Sequence, residues 1–308
     1  MLKTKSVLTS AAIVCLLAAT PALSAHHEAG EHASAAAPAA TQDLVIGEAS
    51  TAPGPSLEAV LAGDHRSDKN KARDVFRHPA ETLNFFGLTA DMTVAEIWPG
   101  GGWYMDVVAP VVAAQGAYYA VGFDRSSDSE YVKKSTKAMI DKVEANQGLF
   151  GRVVITELSN EKFDIAPPGS VDMVLTFRNV HNWMDGTGQE VRVFNAMFKA
   201  LRPGGILGVV EHRADADAPA DPKAASGYVP QALVIKLAED AGFQLVDSSE
   251  INANAKDTKD HPSGVWTLPP SLRKGEEDKD KYVAIGESDR MTLKFVKPQS
   301  TGMASIAD

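Results

Sequence analysis

Two histidines follow strand-like segments of this 308-residue sequence. His181 comes shortly after the apolar run 171–177, and His212 comes directly after the run 206–211. An unperturbed imidazole has a pKa of about 6.5, so it can accept a proton at neutral pH. We therefore predict that His181, His212 or both act as a general base. The alternative is that each is a hydrogen-bonded structural residue at the end of a strand.

Acids and glycines with the spacing of a nucleotide-type site form a second group. Glu96 ends a short β-rich run, and Gly100 and Gly102 follow it at the fourth and sixth positions. Asp124 ends the next strand-like run, where its carboxylate can accept hydrogen bonds from ribose hydroxyls. Glu157 ends the third run, where it can face an adenine edge. Glycines let the backbone approach a ligand closely, and the helix after the turn offers unpaired N–H groups.

Two other glycine-loop types fit this segment less well. A dinucleotide loop starting at Gly100 needs a third glycine at position 105, which is Met105. A phosphate loop needs a lysine and a hydroxyl residue after the last glycine, and Trp103 and Tyr104 stand there instead. The spacing therefore disfavours an NAD site and excludes a phosphate loop.

Polar residues near both histidines can bind a substrate; the candidates are Arg178, Asn179, Asn182 and Arg213. The asparagines can position a ligand by hydrogen bonds, and the arginines can hold a carboxylate or a phosphate. The alternative for Arg178 is a plain ion pair with Asp172 or Glu211.

Two further groups of residues lie in loops or near them. Arg73, Asp74, Arg77 and His78 form either a lid with a salt-bridge network or, as we favour, an exposed helix face. The four tryptophans fall in turns or loops and predict a shared aromatic pocket; they are Trp98, Trp103, Trp183 and Trp266. The long segment 254–268 is expected to cover a site, because long loops without structure of their own are uncommon otherwise.

These residues need a scaffold that brings strand ends together. Strand-like runs alternate with helical segments of about a dozen residues, which predicts a parallel sheet covered on both faces. We predict one α/β domain over residues 56–298, with a Rossmann-like, doubly wound sheet. The runs 282–286 and 291–296 are interpreted as the two arms of a final hairpin.

Composition limits the classes of function. The chain is 44% hydrophobic and carries a formal net charge of −10, which disfavours sequence-independent binding to nucleic acid. Cys15 is its single cysteine, so a disulfide framework and a cysteine metal site are excluded. A metal site from Asp257, Asp260 and His261 is disfavoured, and we predict no metal. Oligomeric state does not follow from the sequence.

At these motifs the chain resembles the class I S-adenosylmethionine-dependent methyltransferases over about residues 85–298. The resemblance is carried by Glu96-Ile97-Trp98-Pro99-Gly100-Gly101-Gly102, Gly122-Phe123-Asp124, Asp172-Met173-Val174-Leu175 and Leu201-Arg202-Pro203-Gly204-Gly205. More narrowly, phrases such as Phe177-Arg178-Asn179-Val180-His181-Asn182-Trp183 resemble bacterial predicted methyltransferases that carry signal peptides. The resemblance implies a seven-stranded sheet with the last strand antiparallel.

The resemblance also implies roles. S-adenosylmethionine is the expected cofactor, with binding residues Glu96, Trp98, Pro99, Gly100, Gly101, Gly102, Asp124, Glu157 and Asn179. The expected acceptor is a small molecule that contacts Trp103, Tyr104, Arg178, Asn182 and Arg213. Trp98 replaces the first glycine of the family motif, and its indole either obstructs the cofactor or forms an apolar wall beside the sulfonium. A non-catalytic protein that keeps the fold, and an adenosyl-type ligand with it, is the alternative.

The N-terminus has the pattern of a cleavable secretory signal over residues 1–25. Lys3 and Lys5 precede an apolar run that is too short to span a bilayer, and small residues end it near Ala25. Residues 26–55 are rich in Ala, Pro, Ser and Thr and predict a flexible linker, and residues 299–308 predict a disordered tail. We therefore expect a periplasmic or secreted protein without a membrane anchor after cleavage.

Overall fold

The structure is a computed structural model that describes residues 43–48, 54–218 and 221–299. The predicted signal peptide, most of the predicted linker and the predicted tail beyond residue 299 lie outside the described residues. Within the described ranges, no helix has the length and apolarity needed to cross a membrane.

A mixed sheet forms the centre of the described chain. Its strands are Leu44–Ile46 (β1), Thr93–Ile97 (β2), Ala117–Gly122 (β3), Val153–Glu157 (β4), Val171–Phe177 (β5), Leu201–His212 (β6), Gln244–Ser249 (β7) and Arg290–Val296 (β8). Their order is β1-β4-β3-β2-β5-β6-β8-β7. The five strands β2 to β6 are parallel, and β8 is antiparallel to both β6 and β7.

Helices connect and cover these strands. They are Leu57–Ala62 (α1), Asp68–Lys71 (α2), Asp74–Arg77 (α3), Pro79–Phe86 (α4), Met105–Val112 (α5), Glu130–Ala145 (α6), Gln147–Phe150 (α7), Val180–Trp183 (α8), Gln189–Ala200 (α9), Gln231–Asp240 (α10) and Lys279–Ile285 (α11), with a 3₁₀ turn at Gly264–Thr267. Local signals set several ends. Ser56 caps α1 through its side chain, Pro79 starts α4, and Gly87 ends α4 with a left-handed φ of 85°.

The predicted α/β sheet with an antiparallel last strand is confirmed. One strand more than expected is present, because β1 pairs antiparallel with β4 at the edge of the sheet. Residues 44–46 therefore form a strand inside the range predicted as a flexible linker. Three apolar residues among small and polar ones give little local signal, and the strand exists through its pairing with β4.

The predicted final hairpin is wrong in its first arm. Residues 279–285 form helix α11, and the last strand β8 pairs with β6 and β7 instead. The run Tyr282-Val283-Ala284-Ile285 is short and apolar, and such runs do not distinguish a strand from a helical turn.

Two apolar clusters cover the two faces of the sheet. Alternate residues of β2 point to opposite faces, so Val94 joins one cluster, and Ala95 and Ile97 join the other. Both faces of the parallel strands are buried, which leaves the carboxyl ends of these strands as the place where polar side chains can converge.

Candidate functional site

A cavity of about 400 Å³ lies beyond the carboxyl ends of β2, β5 and β6. Its wall includes twelve of the sixteen residues predicted for a site: Glu96, Trp98, Pro99, Gly100, Gly101, Trp103, Tyr104, Arg178, Asn179, His181, Asn182 and His212. The wall does not include Gly102, Asp124, Glu157 or Arg213. The volume lies in the range of pockets for small molecules.

A buried carboxylate holds the two histidines together. His181 donates from Nδ1 to Glu211 Oε1 at 3.0 Å, which leaves its Nε2 as an acceptor. The backbone N–H groups of Val180 and His212 also donate to this carboxylate, at 2.6 and 2.7 Å. Glu211 is fully buried. The arrangement fixes the ring of His181 and suits it to accept a proton, as a carboxylate–histidine pair does.

The second histidine is neutral at physiological pH. The His212 and His181 rings lie 5.3 Å apart, and His212 Nδ1 contacts Ser288 Oγ. Burial lowers the pKa of His212 well below 6.5, and repulsion from His181 and Arg178 lowers it further. The imidazole of His212 is therefore neutral and can accept a proton.

Among the described residues, His181, Glu211 and His212 also place three ligand-type atoms within 4.8 Å of one another. Each oxygen of Glu211 already accepts backbone N–H groups, which compete with a metal ion for the same lone pairs. We therefore interpret Glu211 as an orienting group for His181.

Glu96 is a carboxyl buried at the end of β2. Tyr118 donates a short hydrogen bond to its Oε2, and only 3% of the residue is exposed. Burial raises the pKa of Glu96 to about 7, despite the opposing effect of this hydrogen bond. A cationic ligand group beside Glu96 would favour its ionised form.

This raised pKa predicts a pH-dependent stability. Below about pH 4.5 Glu96 is protonated in both the folded and the unfolded chain. Between about 4.5 and 7 only the folded chain keeps the proton, so wild-type stability falls as pH rises and stays lowered above 7. Glu96→Gln lacks this titrating carboxyl group. The free energy of unfolding of the variant minus that of wild type is therefore expected to increase by about 3 kcal/mol between about pH 4.5 and pH 7. Urea unfolding at pH 4.5 and pH 8 measures it, and an unchanged difference would contradict the shift.

The turn after β2 leaves room for a ligand. Gly100 has a φ of 60°, a conformation that favours glycine, and a Cβ atom added at Gly100 or Gly101 would meet no atom within 4 Å. Pro99 precedes them and cannot donate to a sheet ladder, which ends the strand. The backbone of this turn is therefore open to the cavity.

Trp98 crosses the neighbouring strand end. It follows β2, and its Nε1 donates to the carbonyl of Leu158, which follows β4, at 3.3 Å. Because β3 lies between β2 and β4, the indole lies over the carboxyl end of β3. Its ring centroid is 5.0 Å from that of Phe123, which follows β3. The backbone of Trp98 has a φ of 47°, the left-handed region of the glycine that it replaces.

The two predicted adenosine-binding acids are held by cations of the chain. Lys162 Nζ lies 2.6 Å from both Asp124 Oδ1 and Glu157 Oε2, and Arg125 Nε lies 2.7 Å from Glu157 Oε1. Burial alone would raise the pKa of Asp124, but the hydrogen bonds of Lys162 and Ser126 lower it. These acids are thus ionised and form their own small cluster beside the indole of Trp98.

Arginines that the sequence did not assign to a site contribute to the cavity. Arg73 and Arg77 line it together with Arg178. Arg77 is 2% exposed, so the predicted exposed helix face is wrong there, and the salt-bridge alternative describes the segment. Arg213 does not reach the cavity, because it pairs with Asp289 and Glu250.

Three of the four tryptophans lie at the cavity. Trp98, Trp103 and Trp266 line it, as does the stretch 269–271 beyond the predicted covering loop. Trp183 is fully buried in the core, 6.1 Å from the ring of Trp98, so the pocket predicted for all four tryptophans contains three.

No protein-family model matches the sequence, and no curated protein matches it. Solved structures do match. The [4+2]-cyclase SpnF matches with a TM-score of 0.52 and 16% identity, over 82% of this chain and 100% of its own. A SAM-dependent methyltransferase from Aquifex aeolicus matches with a TM-score of 0.47 and 16% identity, over 79% and 99%.

Phosphoethanolamine N-methyltransferase 2 from Haemonchus contortus, solved with phosphomonomethylethanolamine and S-adenosylhomocysteine, matches with a TM-score of 0.47 and 14% identity, over 80% of this chain and 62% of its own. The solved structures with similar folds thus include S-adenosylmethionine-dependent methyltransferases. The predicted Rossmann-like α/β fold is confirmed by the sheet of the protein itself, with its parallel centre and antiparallel last strand. At these identities the likeness concerns the fold alone.

The polar groups that such a cofactor needs are in place, and one apolar group conflicts with it. Glu96 and the open turn at Gly100 suit the amino-acid half of S-adenosylmethionine, and Asp124 suits its ribose. The indole of Trp98 lies over the carboxyl end of β3, beside the acids for which the sequence predicts adenosine binding. The residues therefore fit the cofactor on the condition that Trp98 and Lys162 move aside.

Proposed function

We propose that this protein is an S-adenosylmethionine-dependent methyltransferase that acts on a small-molecule acceptor. The observation that supports it best is the set of acids at three neighbouring strand ends. Glu96 is the last residue but one of β2, Asp124 lies two residues after β3, and Glu157 ends β4. Of these acids, Glu96 lines the cavity beside the open glycine turn. Glu96, Gly100 and Asp124 would hold the cofactor.

The chain's own residues would align the acceptor and remove its proton. S-adenosylmethionine, when bound, supplies an electrophilic methyl group. His181 accepts a proton at Nε2 from an acceptor N–H or O–H, and Glu211 stabilises the imidazolium that results. Asn182, which lines the cavity, can orient the acceptor by hydrogen bonds. Trp266 lines the same space and would help to exclude water from it.

The position of Trp98 favours a second candidate function. A chain whose adenine slot is filled by its own indole can use the remaining cavity to bind a small molecule without methyl transfer. That the fold is compatible with other chemistry is supported by its likeness to a [4+2]-cyclase.

Calorimetric titration with S-adenosylmethionine and S-adenosylhomocysteine, with NAD as a control, separates these candidates. The methyltransferase proposal predicts micromolar binding of the first two and none of NAD. Asp124→Ala is expected to weaken binding by tenfold or more, because a methyl group cannot accept the ribose hydrogen bonds.

Asp240→Ala is the matched control, since Asp240 pairs only with the exposed Lys236 on α10. Its affinity is expected to equal that of wild type. Wild-type affinity in Asp124→Ala would contradict the placement of the ribose. Absence of any binding to wild type would favour the second candidate.

The proposal includes a location outside the cytoplasm, and the sequence of residues 1–25 is its support. Comparison of the N-terminal residue of the protein from a periplasmic fraction with that of whole cells tests it. An N-terminus near residue 26 in the periplasmic fraction is expected, and an intact Met1 in the cytoplasm alone would contradict it.

A further inference from the structure

We propose that the arginines of the cavity form a binding site for an oxyanionic group, a carboxylate or a phosphoryl, on the small molecule that the protein takes. This inference deepens the proposed function, since it names the chemical class of the acceptor. It is independent of the cofactor, because Arg73, Arg77 and Arg178 line the cavity, whereas Asp124 and Glu157 lie outside its wall.

Positive charge exceeds negative charge on this wall. Arg73, Arg77 and Arg290 share one carboxylate, that of Glu287, at 2.7, 3.1 and 3.0 Å. Burial alone would raise the pKa of Glu287, but the three arginines bring it down to about 2. One ionised carboxylate thus pairs with three guanidinium groups, of which those of Arg73 and Arg77 line the cavity. In a chain of net charge −10, this excess is local and specific to the cavity.

Arg178 adds a fourth guanidinium to this group. Among the described residues, no side chain or carbonyl forms a hydrogen bond or an ion pair with it, and it faces the cavity. Burial lowers the pKa of Arg178 to about 10 and repulsion from Arg290 contributes, while attraction to the shared carboxylate of Glu287 opposes these effects only in part. A desolvated cation beside other cations is costly unless an anion compensates it.

The backbone at Arg178 is also held in an unfavourable conformation. Its φ is 61°, and its N–H donates to the carbonyl of Val210 at 2.7 Å, which continues the ladder between β5 and β6. Left-handed backbone is unfavourable in a non-glycine residue and occurs preferentially at binding sites. The hydrogen-bond ladder between β5 and β6 therefore fixes the backbone of Arg178, whose side chain faces the cavity.

Two further donors on this wall are unsatisfied. Arg77 Nη1 and Arg73 Nη2 are buried and form no hydrogen bond with any described residue. The guanidinium of Arg77 is held in place by the ring of Trp103, whose centroid lies 4.6 Å from it. Fixed, unsatisfied guanidinium donors match the paired oxygens of a carboxylate or phosphate.

The other residues of this wall indicate what kind of molecule carries the anionic group. Trp103, Trp266 and Pro269 offer apolar surface, and the volume of about 400 Å³ suits a small organic molecule. His181 lies three residues beyond Arg178. An anion bound at Arg178 would thus leave the organic part of the molecule near the proposed base.

Titration of the purified protein with benzoate and phenyl phosphate, without any cofactor, tests this inference. Benzamide at equal concentration is the neutral control, and sodium chloride keeps the ionic strength constant. At least one of the two anions is expected to bind with a Kd of about 1 mM or lower, and benzamide is not. Binding of benzoate alone would assign a carboxylate, and binding of phenyl phosphate alone a phosphoryl group.

Arg178→Ala and Arg178→Lys are both expected to weaken this binding by tenfold or more, because lysine keeps the charge but lacks the paired donors. Arg202→Ala is the control, since Arg202 is half exposed and pairs with Asp172. Because no described residue pairs with the side chain of Arg178, both variants are expected to fold. Their melting temperatures check this. No binding of either anion up to about 10 mM, or equal affinity in Arg178→Ala, would overturn the inference. Anion binding without binding of S-adenosylmethionine would overturn the methyltransferase proposal alone.

Discussion

Trp98→Gly is expected to bind S-adenosylhomocysteine at least tenfold more tightly than wild type. In the proposed binding mode the adenine lies at the end of β3, so in wild type the ligand must first displace the indole from Phe123 and from the carbonyl of Leu158. Glycine removes this cost and accepts the φ of 47° without strain. Calorimetry at a temperature well below the unfolding transition measures it, because the lost packing is expected to lower stability by about 2–4 kcal/mol.

Trp98→Phe is the matched control for this variant. A phenyl ring still fills the slot, so its affinity is expected to stay within about threefold of wild type. Weaker binding in Trp98→Gly would contradict the interpretation. It would indicate that the indole forms a wall that contacts the bound ligand, which is the other role the sequence left open.

Glu211→Gln is expected to lower the free energy of unfolding by about 3–5 kcal/mol. Each carboxylate oxygen accepts a backbone N–H, from Val180 on one side and from His212 on the other. A carboxamide must turn its NH₂ group toward one of them in either orientation. A buried donor then faces a donor, which is costly, and the anion that stabilises His181 is lost as well. Urea unfolding at pH 7 measures the change.

Glu250→Gln serves as the control, because Glu250 is an exposed partner of Arg213. Its free energy of unfolding is expected to stay within about 0.5 kcal/mol of wild type. A loss below about 1 kcal/mol in Glu211→Gln would contradict the view that this carboxylate organises both histidines. Such a result would indicate that Glu211 does not fix the proton of His181 on Nδ1.

The parallel part of the fold follows from the sequence, and its exceptions have physical reasons. Strands β2 to β6 are largely apolar runs that are buried on both faces, and helices α6 and α9 between them have amphipathic patterns. Strand β1 and helix α11 carry no comparable pattern. Strand β1 forms through its pairing with β4, and helix α11 forms through packing near Glu287. Neither contact is visible in the local sequence.

The candidate site was predictable where it follows strand ends. Glu96, His181 and His212 are adjacent to strands in sequence, so the rule that strand ends converge was enough to group them. The wall formed by Arg73 and Arg77 was not predictable in this way. Both pair with Glu287, more than 200 residues further along the chain, and a contact of that range has no local signature.

Strand β1 has a consequence for how the protein can be handled and how it avoids self-association. Without β1, the backbone of β4 would be an open sheet edge carrying Val153, Val154 and Ile155. Open, apolar edges recruit strands from other molecules and lead to aggregation. A chain shortened to residue 56, the domain boundary that the sequence indicates, would lose this protection while keeping every residue of the cavity. Residues 44–46 thus protect the edge of the sheet against aggregation, although they lie outside the cavity.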